Sequence, residues 1–349
     1  MQLTNKSKNI KHLLTAATCG LLGSNAVVAE EVKPWSFDTA IMYYGETDRV
    51  MAVEGIIAGK KEFSDEHFLD LKLTFDTLTG ASANGAVPQN KVQTFTRPSG
   101  NGAYKVPADT TPLDDTFRDT RVQLNAQWTQ PFLENYLVST GGHLSNEYDY
   151  LSLGFNGSIA RDFNQRNTTL SAGFAFSQDR ISPQGGIPSP FEQMLAAGEE
   201  TNRLGANDSK TTFDTLFGVT QVINKRMIMQ LNYSFSQVNG YLTDPFKVVS
   251  VVDNNGASQQ QLYENRPDSR AKHSVYWQSK YHFTEDIVDF SYRYMWDDWQ
   301  IASHTFDMKY RIALGGQAEQ YLEPHIRFYR QQAADFYTPF ILDSQALPD

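Results

Sequence analysis

The sequence predicts an all-β fold, an antiparallel up-and-down transmembrane β-barrel of about 14 strands, with about 16 as the alternative. Three observations lead to this prediction. Apolar and polar residues alternate with a period of two along most of the chain. The alternating segments reach about ten residues, the length that a tilted strand needs to cross a bilayer. The connections between these segments alternate between short and long.

The composition agrees with such a fold. The 349 residues carry a formal net charge of −10, the mean hydropathy is −0.47, and 13% of the residues are aromatic. A barrel is expected to be polar on average and rich in aromatic residues, because half of each strand faces lipid and the other half faces water. After the N-terminus, no stretch offers about 18 consecutive apolar residues, so no spanning helix is predicted. The acidic balance argues against a nucleic-acid partner.

The N-terminal segment has the pattern of a cleaved signal peptide at residues 1–29. Three lysines precede an apolar run from Leu13 to Leu22, and small residues follow at the expected cleavage site. An ordinary N-terminal helix is the alternative. The only cysteine, Cys19, lies in this segment, so the mature protein is expected to have no thiol.

The alternation is clearest in the segments that are expected to form strands. In one of them Val288, Phe290 and Tyr292 alternate with polar neighbours. The clear segments cover residues 68–76, 121–128, 227–236, 288–296, 306–312 and 323–328. About 13 strands are predicted in all, whereas single-chain barrels usually have an even number. The sequence therefore predicts one barrel domain at residues 30–349 that is truncated at its C-terminus and lacks its closing strand or strands.

The predicted connections differ in length at the two ends of the strands. The short ones are 164–167, 224–226, 284–286 and 315–318, and the long ones are 80–119, 181–210 and 243–270. Tight periplasmic turns and long outer loops are typical of outer-membrane barrels. The pattern predicts a protein of the cell outer membrane, in contact with its lipid and inserted by the barrel-assembly machinery.

Long sequence stretches between Leu71 and Tyr337 carry a family resemblance. They include EYDYLSLG, ARDFNQRNTTLSAGF, SYRYMWDDW and YLEPHIRFYRQQAADFY. They resemble an uncharacterised, domain-of-unknown-function family of bacterial outer-membrane β-barrel proteins. The resemblance implies the barrel fold and supplies no function. Members look like proteins found near flavin-transferase and small lipoprotein genes, which implies a link to extracytoplasmic redox systems. They also look longer than this chain at the C-terminal end.

Charged residues of both signs fall on the polar positions of the predicted strands and are expected to line the lumen. Because buried charges must be paired or hydrated, they predict either a ladder of salt bridges in a narrow barrel or a charged, water-filled pore. The near balance of signs favours the ladder. The predicted lumen-lining residues are Asp70, Lys72, Asp76, Arg121, Asp289, Arg293, Asp307, Lys309, Arg311, Glu323, His325 and Arg327.

Few residues suggest other chemistry. Asp297 and Asp298 are adjacent carboxylates that could bind calcium, which prefers oxygen ligands. The favoured interpretation is a hairpin turn between interfacial aromatic residues. Glu147 and Asp149 form a similar cluster. No zinc-like histidine spacing, catalytic signature or phosphate-binding loop is present, so the sequence predicts neither an enzyme nor a cofactor.

Three classes of function remain open from the sequence. The first is a channel, or an export or uptake route, for small solutes, which predicts conductance in planar bilayers. The second is a structural or docking barrel that supports a periplasmic redox or assembly partner, whose identity the sequence does not give. The third and minor class is an outer-membrane hydrolase, which would need a Ser, His or Asp on the outer face.

Overall fold

The computed structural model describes residues 35–347 except 48, 98–101, 200–201 and 315–319. Within these residues the chain forms 21 β-strands. No helix in this described part is long and apolar enough to cross a membrane. The predicted signal peptide at 1–29 and the predicted turn at 315–318 lie outside the described residues.

The strands fall into long strands, which form the main sheet, and short strands, which lie mostly in the long connections. In chain order they are β1 (Ser36–Gly45), β2 (Val50–Ser64), β3 (His67–Ala83), β4 (Gln93–Thr96), β5 (Ala103–Val106), β6 (Leu113–Pro131), β7 (Tyr136–Asn146), β8 (Tyr150–Phe163), β9 (Thr168–Ile181), β10 (Ile187–Pro188), β11 (Arg203–Gly205), β12 (Asp208–Asn224), β13 (Met227–Gly240), β14 (Val248–Val252), β15 (Ser258–Tyr263), β16 (Ser269–His282), β17 (Ile287–Asp297), β18 (Ala302–Ala313), β19 (Tyr321–Leu322), β20 (His325–Gln331) and β21 (Phe340–Leu342).

One 14-stranded sheet, which we call the barrel sheet, contains all the long strands. Its order is β1-β2-β3-β6-β7-β8-β9-β12-β13-β16-β17-β18, and both β19 and β20 pair with β18. Every neighbouring pair is antiparallel, so the predicted all-β, up-and-down fold and the predicted strand number are confirmed. Among the described residues, the edge strands β1 and β20 are not paired with each other.

The strands of the barrel sheet are long. β3 has 17 residues, β6 has 19 and β12 has 17. Strands of soluble sheets usually have about 5–6 residues, whereas a tilted strand needs about 9–11 to cross a bilayer. Several strands of this sheet therefore exceed the thickness of a bilayer and continue into the water beyond it.

The barrel sheet has one apolar face and one polar face. Phe75 lies opposite Val122, and Leu73 lies opposite Leu124. Directly opposed residues share a face, so these side chains form a continuous band. Phe75 remains 52% exposed, and a band of this size would cause aggregation in water. The same band includes Ile41, Val53, Ile57, Leu144, Leu153, Phe155, Phe174, Phe213, Phe217, Leu231, Phe306, Met308, Ile326 and Phe328.

The long connections all lie at one end of the sheet, although β1–β2, β7–β8 and β17–β18 are joined by short turns at that same end, so short and long connections do not alternate strictly. At one end, which we call the turn end, the connections are tight. In one of them Asn164, Gln165 and Arg166 have φ values of 53°, 57° and 65°, and such positive values allow a close reversal of the chain. At the opposite end, the loop end, lie the long connections 84–112, 182–207 and 241–268.

The three long connections and residues 332–347 fold together into one unit at the loop end, which we call the cap. Its sheets include β14, which pairs antiparallel with β15 and parallel with β21. Apart from Trp299, the fully buried apolar side chains of the described residues all lie in the cap. Nine of them form two clusters, and Ile187 and Val252 belong to neither. The clusters are Ala86, Phe95, Tyr104, Val106, Val248 and Tyr263 in the first and Val251, Leu262 and Ile341 in the second.

Candidate functional site

The connection 241–268 crosses the mouth of the barrel sheet. It leaves β13 and reaches the end of β3, which lies six positions away in the sheet order. There Lys247 Nζ donates hydrogen bonds to Ala83 O and, at 3.2 Å, to Ser82 Oγ. The amide of Val248 donates to Asn84 O at 2.8 Å. The crossing segment is therefore fixed at both ends and bounds the space between them.

A cavity of about 690 Å³ lies next to this crossing segment, and we call it the vestibule. Its walls come from the ends of β3, β6, β9 and β12, from the turn between β7 and β8, and from residues 241–247. Sites for small molecules in proteins usually have volumes of about 300–1,000 Å³. The vestibule is therefore large enough for a small solute.

Four carboxylates of the vestibule have no ion pair with a described basic side chain. They are Asp119, Glu147, Asp149 and Asp244. Burial and the neighbouring carboxylate of Asp119 raise the pKa of Glu147 to about 7. Burial and then Asp119 also raise the pKa of Asp149. Carboxylates that converge in a partly desolvated space repel one another.

Five basic side chains also line the vestibule, and three of them are engaged by other groups. Lys210 Nζ lies 4.0 Å from Asp179 Oδ2, and Arg266 Nη2 lies 2.7 Å from Glu264 Oε1. Lys247 is held by the end of β3, as described above. The remaining two are Arg97 and Arg118, both exposed.

Aromatic rings complete the vestibule. They are the side chains of Tyr148, Tyr150, Tyr241 and Phe246. The Tyr241 hydroxyl is buried and makes no hydrogen bond within the described residues. Burial and the nearby Asp244 carboxylate raise its pKa, so this phenol stays neutral. A buried hydroxyl without a partner costs free energy.

Some of the predicted lumen-lining residues form ion pairs across the polar face of the barrel sheet. Asp76 and Arg121 are directly opposed and lie 2.8 Å apart. Asp307 Oδ2 accepts a hydrogen bond from Arg327 Nε at 2.7 Å and lies 2.9 Å from His325 Nε2. The pairing of the strands between them places both groups of charged residues on the same face of the barrel sheet.

The other predicted lumen-lining residues make different contacts. Asp289 lies 3.1 Å from Lys280, which the sequence pattern did not single out, and opposite Lys309. The Arg293 and Arg311 guanidinium groups lie 5.5 and 3.7 Å from tyrosine rings. Asp70 and Lys72 line a cavity of about 180 Å³ on the polar face. Glu323 precedes β20 and lies outside a strand.

Asp297 and Asp298 lie at the hairpin between β17 and β18. Asp297 Oδ2 accepts a hydrogen bond from Arg270 Nε at 2.8 Å, and its Oδ1 accepts from the Ile301 amide at 2.8 Å. Asp298 accepts from the Ala271 amide at 2.9 Å. The donors around Asp297 occupy both its oxygens. Among the described residues, no three His, Cys, Asp or Glu side chains are grouped to hold a metal ion.

The vestibule joins residues that are far apart in the sequence. The cluster of Glu147 and Asp149 is visible in the sequence as EYDY. Asp119 and Asp244 give no such signal, because only the crossing of 241–247 brings Asp244 to the ends of β3 and β6. Local patterns cannot predict a site that depends on this long-range crossing.

Long antiparallel strands with an apolar outer face and tight turns at one end define the class of outer-membrane β-barrels. The chain belongs to the family described as protein of unknown function (DUF3570), whose model matches residues 11–349. A comparison with curated protein sequences gives no match.

The solved structures that this chain matches include two from Escherichia coli. The ferric-catecholate import receptor Fiu of E. coli K12 is 11% identical with a TM-score of 0.42, over 85% of this chain and 57% of that one. The outer-membrane transporter YddB is 10% identical with a TM-score of 0.32, over 77% and 39%. The NanC porin is 8% identical with a TM-score of 0.28, over 85% and 96%. The chain thus spans about half the length of the first two.

Proposed function

We propose that this chain forms a channel for small solutes in the cell outer membrane, which it reaches after cleavage of a signal peptide at residues 1–29. The width and polarity of the barrel sheet carry the proposal. Side chains fill a barrel of about eight strands, and barrels of about 16–18 strands leave an aqueous channel. This sheet has 14 strands in 13 positions, because β19 and β20 both pair with β18, and it has a continuous polar face. Such a sheet is too wide to be filled by side chains alone.

Small residues on the polar face support a water-filled lumen over a lumen closed by salt bridges. Gly141 lies opposite Asn156, Gly173 opposite Ser158, and Gly218 near Asn232. Neighbouring polar side chains lie above these glycines, as Gln127 does above Gly141. Short polar side chains of this kind stay hydrated and leave the centre of the lumen open.

The cap would then cover the outer entrance of this channel. The lumen would open to the outside through the vestibule, because the segment 241–247 crosses the mouth there. A cap with its own hydrophobic core is a folded barrier rather than a mobile loop. The proposal therefore predicts a small conductance for the intact protein and a larger one when the cap is loosened.

Planar-bilayer recording tests the proposal. The full-length protein is purified, its barrel is verified by heat-modifiable migration, and currents are recorded in potassium chloride. The substitution Phe95→Ala, in the cap core, is recorded beside Phe132→Ala, which lies exposed at the turn end. We expect small current steps for the unchanged protein and for Phe132→Ala, and larger steps for Phe95→Ala.

If all three proteins migrate as folded barrels and none conducts, the channel proposal is wrong. A silent barrel that co-purifies with one defined periplasmic partner would support the docking alternative instead. A conductance that appears only with Phe95→Ala would still support the channel, with the cap closed at rest.

A further inference from the structure

We propose that the vestibule is a binding site for organic cations that carry ammonium groups, and that such amines are the solutes of the channel. The second part rests on the proposed function, whereas the first part concerns binding alone. Three properties of the cavity lead to this inference: its carboxylates without ion pairs, its aromatic walls and its size.

The charge of the vestibule favours a cation. Asp119, Glu147, Asp149 and Asp244 lack ion pairs within the described part of the chain. Among the basic groups of the lining, two are paired with carboxylates and Lys247 is held by neutral oxygens of β3. Burial and then the neighbouring Asp119 carboxylate disfavour the charged form of Glu147, and an ammonium group between these carboxylates would offset both effects. An anion placed there would add to the repulsion.

The aromatic walls are an independent feature, and they favour an organic cation. Tyr148 and Tyr150 flank Asp149, and Tyr241 and Phe246 lie on the crossing segment. The faces of aromatic rings attract cations, most strongly where water is excluded. The buried Tyr241 hydroxyl has no described partner and can accept a hydrogen bond from an ammonium N–H. This combination of rings and carboxylates is suited to amines.

The size and geometry of the cavity favour an extended amine over a bare metal ion. A volume of about 690 Å³ is much larger than the coordination sphere of one ion. No metal-binding group of three carboxylate, imidazole or thiolate side chains occurs among the described residues. A diamine could contact the β7–β8 turn with one ammonium group and Asp244 with the other.

Calorimetric titration of the purified full chain in detergent with putrescine tests the binding site. The double substitution Asp149→Asn and Asp244→Asn removes two charges, and asparagine at 244 keeps an oxygen for the Phe246 amide, which now donates to Asp244 Oδ1. We expect putrescine to bind, and the double variant to bind it at least about tenfold more weakly, since each hydrogen bond to a charged group contributes about 1.5–3 kcal/mol.

The matched control is Asp268→Asn, which removes an exposed carboxylate at the loop end that does not line the vestibule. Succinate serves as the anionic probe. Absence of putrescine binding, equal binding by the double variant, or tighter binding of succinate would overturn the inference. Each variant must show heat-modifiable migration. The titration measures binding and does not depend on conductance. A protein that conducts but does not bind putrescine can therefore be distinguished from one that binds putrescine but does not conduct.

Discussion

Removal of one aromatic ring should loosen the cap and leave the barrel sheet intact. Phe95 is 1% exposed and its ring stacks on Tyr104 with the centroids 5.5 Å apart. Replacement of a buried phenylalanine by alanine costs about 3–5 kcal/mol, because contacts are lost and a cavity remains. The first cap cluster contains only six buried side chains, so the loss is a large part of its stabilisation.

Hydrogen exchange measures the effect directly. The Val248 amide bonds to Asn84 O where the first and third connections meet, so its exchange reports the opening of the cap. A loss of about 3–5 kcal/mol should speed this exchange roughly 10²- to 10⁴-fold. Amides of β12 and β13 should keep their protection, because their hydrogen bonds are within the barrel sheet.

Two results would contradict this prediction. If Val248 exchanges at the same rate in Phe95→Ala as in the unchanged protein, the apolar clusters do not hold the connections together. If the variant loses heat-modifiable migration, the cap and the barrel sheet are not separable. Phe132→Ala serves as the control, because Phe132 is 63% exposed and lies far from the cap in the fold.

Three further predictions concern single side chains. Arg270→Ala leaves the fully buried carboxylate of Asp297 without its guanidinium partner, and the urea midpoint of unfolding in detergent should fall by the equivalent of about 3–5 kcal/mol; an unchanged midpoint would contradict this. Gly85→Ala should expose the cap to protease, because Gly85 has a φ of 95° and a Cβ there would lie 2.4 Å from Val248 O; intact resistance would refute it. The folded chain holds the Glu147 proton up to about pH 7, whereas an unfolded chain releases it near 4.5. The stability of the folded chain should therefore fall as the pH rises between these values and less so in Glu147→Gln, as measured by urea unfolding in detergent; an identical pH profile in both proteins would exclude this role.

The barrel sheet could be predicted from the sequence because its signals are local. In β17 the residues Val288, Phe290 and Tyr292 point to one face, and the period of two persists over the whole strand. The long connections also stand out, since they interrupt this period. The start of β20 differs from the predicted segment because Pro324 has no amide hydrogen to donate, and the strand begins at His325.

The cap could not be predicted because its signals are short and its contacts are long-range. β4 and β5 have four residues each, which is too few for a reliable period. The bond between Val87 N and Ser250 Oγ joins residues 163 positions apart, and no local pattern predicts such a contact. The vestibule depends on the same crossing, so its carboxylates could not be grouped from the sequence.

The cap and the barrel sheet are held by different forces, and this difference separates their stabilities. In the barrel sheet, backbone hydrogen bonds must be satisfied within the membrane, and the apolar band contacts lipid rather than a protein core. In the cap, apolar side chains are buried from water, and the hydrophobic effect is the main stabilising term. Conditions that weaken hydrophobic burial should therefore open the cap first. Because Lys247 and Val248 anchor the crossing segment at β3, such opening would also dismantle the vestibule, so solute binding and cap closure are expected to stabilise each other.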